Sequence, residues 1–72
     1  MARIIFKAAE GLITNEQYAA AYALAEKYKV GLALYGNSGG MAPVHRFMAE
    51  GGFFRVARFL RQIKTVFPRA TT

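Results

Sequence analysis

The residues able to do chemistry fall into two stretches of the chain. The first is Gly36-Asn37-Ser38-Gly39-Gly40, which matches G-x-S-x-G and is followed by His45 and Arg46. A serine set between glycines can act as a nucleophile when a base stands beside it. The backbone N–H groups of a glycine-rich loop that enters a helix can also cradle an anion. The second stretch carries Arg55, Arg58, Arg61, Lys64 and Arg69, with Arg46 upstream in support. Guanidinium groups suit phosphate oxygens, and several cations on one short element can neutralise several phosphates.

The segment from Val30 to Glu50 resembles the nucleophile elbow of α/β-hydrolases. An apolar stretch precedes the G-x-S-x-G match, and a segment that reads as a helix follows it. The resemblance implies that Ser38 is the nucleophile. It covers residues 30–50 of 72, however, and the order of partners departs from the family. The family runs Ser, then Asp or Glu, then His. Here the single His45 precedes Glu50, the only later carboxylate. No triad of that order exists, so the expectation is a protein that is not an enzyme. The five loop residues are then a turn or an anion-binding loop. Since G-x-x-x-x-G-K-[ST] is missing, the loop is not a P-loop.

Cysteine is absent, which removes disulfides, thiol nucleophiles and thiolate metal sites. One His and no Asp leave too few ligands for a metal centre, so neither a metal nor a cofactor is expected. The four Glu fall at polar positions and form no acid–base pair.

Charge is unevenly placed. The formal net charge is +6. Residues 43–72 hold six cations against Glu50 alone, and no acidic residue follows Gly51. A polar face selected only for solubility mixes signs. The C-terminal half therefore predicts an acidic partner, either nucleic acid or an acidic protein surface.

Hydrophobic residues make up 54% of the chain. A domain of this length buries only about 60% of the surface of its unfolded chain. The apolar excess predicts self-association, most simply a homodimer, with Tyr18, Tyr22, Phe53 and Phe59 as candidate contacts. No apolar run is long enough to span a bilayer, and no leader-type segment opens the chain. A cytoplasmic protein is the expectation.

These residues must be positioned by a single domain covering 1–72. Residues 2–10 read as a helix with Ile4, Ile5, Ala8 and Leu12 on one face. The β-branched pair Ile4-Ile5 beside Phe6 supports a strand instead. Residues 14–30 form the clearest helix. Thr14 and Gln17 have capping-box spacing, the interior is rich in Ala, and Gly31 stops it. Residues 31–35 read as a buried strand or an irregular link. Pro43 suits the first turn of a helix ending near Glu50. A last helix spans about 53–66, before Pro68. At about 100° per residue, Phe53, Val56, Phe59, Leu60, Ile63 and Phe67 share its inner face. Arg58, Arg61, Gln62 and Thr65 share the outer one, with Arg55 and Lys64 on the borders.

The expected fold is thus mainly α, with four short helices and room for a short strand at 31–35. The expected function is a small basic binding protein acting through its C-terminal helix on nucleic acid. Two alternatives stand beside it. One is an inhibitor or adaptor of phage or plasmid type that docks exposed aromatic and Arg residues on a host protein. The other is an assembly subunit of a homo-oligomer.

Overall fold

The computed structural model of the chain describes residues 1–37 and 44–71. Its elements run β1 (Ala2–Glu10), α1 (Asn15–Tyr28), β2 (Gly31–Asn37), β3 (Val44–Gly51) and α2 (Phe53–Val66). The fold is α+β, and the four-helix expectation is wrong. Residues 2–10 form strand β1, and the described part of the segment expected as a helix ending near Glu50 is strand β3; Pro43 lies outside the described residues.

The reason lies in pairing that no local window displays. β3 is the middle strand, antiparallel to β1 on one side and β2 on the other. Arg3 pairs with Glu50, Ile4 with Ala49 and Phe6 with Phe47. These partners lie more than forty residues apart in sequence. Burial in β1 follows a period of two. Phe6 and Ala8 point inward, while Ile5 is 54% exposed. The helical reading had placed Ile5 and Leu12 on the buried face, yet Leu12 is also exposed. In β3, Phe47 and Ala49 are fully buried, while Arg46 points the other way.

β1 and β2 are each antiparallel to β3, so they run parallel to one another with β3 between them. The order β-α-β-β-α is the split β-α-β arrangement without a sixth element. After α2, Thr71 returns to the outer edge of β1 and makes an antiparallel bridge with Lys7. Two backbone hydrogen bonds close it, Lys7 N–H to Thr71 C=O at 2.7 Å and Thr71 N–H to Lys7 C=O at 2.9 Å.

Both helices lie on one face of the sheet. Phe6, Ala8, Phe47 and Ala49 from the strands meet Ala21 and Ala25 of α1 and Val56, Phe59, Ile63 and Phe67 around α2. Phe47 is edge-on to Phe6 at 5.2 Å and to Phe67 at 4.8 Å between ring centroids. The small side chains of α1 let it approach α2 closely, and Gln17 Nε2 reaches the Val66 carbonyl.

The capping box is present as its spacing predicts. Gln17 N–H donates to Thr14 Oγ1 at 3.1 Å, and Thr14 N–H donates to Gln17 Oε1 at 2.9 Å. The other end of α1 stops one turn before Gly31. Lys29 adopts the left-handed conformation with φ 55°, and Val30 N–H donates to the Ala25 carbonyl. This is a Schellman-type ending in which glycine is the usual residue. A side chain there costs roughly 1 kcal/mol relative to glycine. Lys29→Gly should therefore raise stability by about 0.5–1 kcal/mol, read as a higher denaturation midpoint with an unchanged slope. A lower midpoint would contradict the account.

Candidate nucleic-acid interface

The basic residues of α2 are placed by its inner face. Val56, Phe59 and Ile63 are buried in the core, which fixes the rotation of the helix. Arg55, Arg58, Arg61 and Lys64 are consequently exposed. They succeed one another at i, i+3, so each step advances about 4.5 Å along the axis and turns about 60° around it. The row crosses the outer face of the helix obliquely. Among the described residues, no ion pair includes any of these four cations. Gly52 gives α2 no side-chain cap, and the first turn holds no acidic residue.

Phe53 and Phe54 stand at the head of this row. Phe53 is 69% exposed and Phe54 77% exposed, and their rings pack edge to face at 5.5 Å. The helical wheel had placed Phe53 with the core. At the first position of the helix it lies beyond the end of the sheet and has nothing to cover it. The exposed pair was legible in the sequence only as two adjacent aromatics after Gly51-Gly52.

The other candidate residues are scattered. Arg46 lies on the face of the sheet away from the helices and does not join the α2 row. Arg69 follows α2 and lies near Glu10. The Lys7 ammonium, through its hydrogen bond and its charge, holds the Glu10 carboxyl below its ordinary value, with a smaller contribution from Arg69. Among the self-association candidates, Tyr22 is exposed, Tyr18 is half-buried, and Phe59 is a fully buried core residue.

Gly36 and Asn37 are the last residues of β2, while Ser38, Gly39 and Gly40 lie outside the described residues. The element after the G-x-S-x-G match is strand β3, not a helix. The strand–turn–helix context that a nucleophile elbow requires is therefore missing. So is the helix N-terminus that would have completed an anion loop. His45 pairs with Gly36 across the strands, and neither of its buried ring nitrogens has a hydrogen-bond partner among the described residues. Nor do three His, Asp or Glu side chains converge anywhere among them.

The His45 ring occupies the space above Gly36. A Cβ at Gly36 would lie 3.1 Å from both Cε1 and Nδ1 of the ring. Gly36→Ala should destabilise by about 1 kcal/mol, the low end of overpacking, because Gly36 is exposed and the ring needs to shift only slightly. The same change in a His45→Ala background should cost clearly less, a coupling that a double-mutant cycle reads directly. Equal costs in both backgrounds would show that the ring is not the obstacle.

No helix of the described residues is long and apolar enough to cross a membrane. Comparison with known proteins finds no matching family model, no similar curated protein and no similar solved structure.

Proposed function

We propose that the chain is a small non-enzymatic protein that binds nucleic acid through the outer face of α2. The observation that carries this reading is the row Arg55, Arg58, Arg61 and Lys64, exposed and without carboxylate partners among the described residues. Two cations of the sheet are neutralised locally, whereas α2 gathers four in one row with no acidic residue among them. Arg3 pairs with Glu50, and Lys7 pairs with Glu10. A polyanion gains most where cations stand uncompensated. The apolar face of α2 supports the same choice over a lipid surface. Val56, Phe59 and Ile63 belong to the core and are not free to enter a bilayer.

A second reading has one observation in its favour. The exposed Phe53–Phe54 pair beside Arg55 is the type of anchor that protein interfaces use. On that reading the chain is an inhibitor or adaptor, and α2 docks on an acidic protein.

Fluorescence anisotropy with duplex and single-stranded oligonucleotides over a salt series tests the first reading. Four phosphate contacts give a slope of log K against log salt of about −3.6 on duplex and about −2.8 on single strands. Arg58→Glu together with Arg61→Glu should weaken binding at least ~100-fold at low salt and reduce the slope by about 2. Unchanged binding by the double variant excludes α2 as the contact. Absence of any oligonucleotide binding at low salt leaves the protein-docking reading as the one to pursue.

A further inference from the structure

The described residues leave the face of the sheet opposite the helices uncovered. Before the register shift in β1 its side chains fall into three cross-strand rows, and Glu10 and Val44 form a further row beyond it. The pairing register places Arg3, Glu50 and Gly31 in the first row. Ile5, Met48 and Ala33 form the second, and Lys7, Arg46 and Tyr35 the third. The middle row is apolar, with Ile5 54% exposed. The outer rows differ in charge. The first holds an ion pair, Arg3 to Glu50 at 2.7 Å. The third holds two cations directly opposite one another, of which Lys7 is paired with Glu10. Arg46 has no carboxylate partner among the described residues.

We infer that this face binds a second copy of the chain, about a two-fold axis that lies across the strands at Met48. An axis in that direction reverses the order of the rows. The apolar row then packs on itself, with Met48 on Met48 and Ile5 on Ile5. Glu50 of each copy meets Arg46 of the other, so the unpaired cation gains a carboxylate twice. Tyr35 of each copy comes over Gly31 of the other, where no side chain stands in its way. Arg3 comes near Lys7 of the second copy; Lys7 keeps Glu10, and Arg3 shares Glu50 with the incoming Arg46. A two-fold axis along the strands is the alternative. It would set each row on itself with the strands exchanged, bringing Arg46 against Arg46 and Glu50 against Glu50 on the middle strand. Face-to-face sheets pack about 10 Å apart with side chains interleaved, a spacing that the middle row of Ile, Met and Ala can fill.

A nucleic acid is a poorer occupant of this face. Two of its three cations are already neutralised, and Tyr35 is its one aromatic ring. Sheet surfaces that read single strands stack two or three bases on aromatics. The dimer leaves α2 of each copy on the outside, so the inference is independent of the reading proposed for that helix. Three strands about 4.8 Å apart make a small interface, below the ~800 Å² per partner of a standard one. A contact below standard size is expected to be a weak, transient one.

The test is sedimentation equilibrium of nuclease-treated protein from about 1 µM to about 1 mM, the range that brackets such an affinity. The full chain should pass from monomer to dimer within it. Arg46→Glu alone and Glu50→Arg alone should each weaken the dimer at least ~tenfold, because each sets like charges together across the axis. An equimolar mixture of the two variants should restore association, since both contacts then join opposite charges. The double variant R46E/E50R should dimerise by itself. A chain that stays monomeric to 1 mM overturns the inference, as do single reversals with undiminished association. A mixture that fails to recover overturns the proposed axis. Because nucleic acid is removed, none of these outcomes depends on whether α2 binds it.

Discussion

The Phe47 ring stands where every layer of the molecule meets. It is fully buried on the middle strand, edge-on to Phe6 of β1 and to Phe67 just beyond α2. Edge-to-face packing of this kind adds about 0.5–1.5 kcal/mol per pair beyond the area buried. The three rings also fix geometry. Phe6 sets the register of β1 on β3, and Phe67 holds the end of α2 down on the sheet. With that end held, Val56, Phe59 and Ile63 settle inward and the arginines of α2 have only one direction left to face. The basic surface is thus a consequence of the aromatic core.

Charge separates along the same division. The sheet side of the molecule mixes signs, with Arg3–Glu50 and Lys7–Glu10 as local pairs. The α2 side carries cations alone. In so small a chain the two sides lie only one sheet and one helix layer apart. The two sides therefore present different electrostatic surfaces, one of mixed sign and one of positive sign alone.

How much of this was legible in the sequence depended on where each element finds its stabilising partners. α1 announces itself because its cap is made by residues three apart, Thr14 and Gln17. The amphipathic row of α2 and Pro68 after it are equally local. The strands are different. Ile4 and Ile5 gave a correct hint in being β-branched, but the period that decides between helix and strand was masked by exposed apolar residues, Ile5 and Leu12. β3 was harder still, since Phe47 and Ala49 fit a helix face as well as a strand face until their partners in β1 and β2 are known. The α2 cations were placed correctly as an exposed set. Arg46 is exposed too, but its separation from them by the sheet follows only from the strand assignment.

The irregularity in β1 has a further consequence. Register shifts between Lys7 and Ala9, and that extra residue returns Glu10 to the same face as Lys7. A bulge of this type twists a strand and interrupts its row of free backbone groups. Thr71 occupies that outer edge at Lys7, immediately before the interruption. An outer strand that is kinked, charged and partly occupied is a poor template for intermolecular strand addition. In a chain that is 54% hydrophobic, this works against strand addition at the β1 edge; β2, the other edge strand, has neither charge nor bulge. The irregular stretch acts as a gatekeeper at that edge alone.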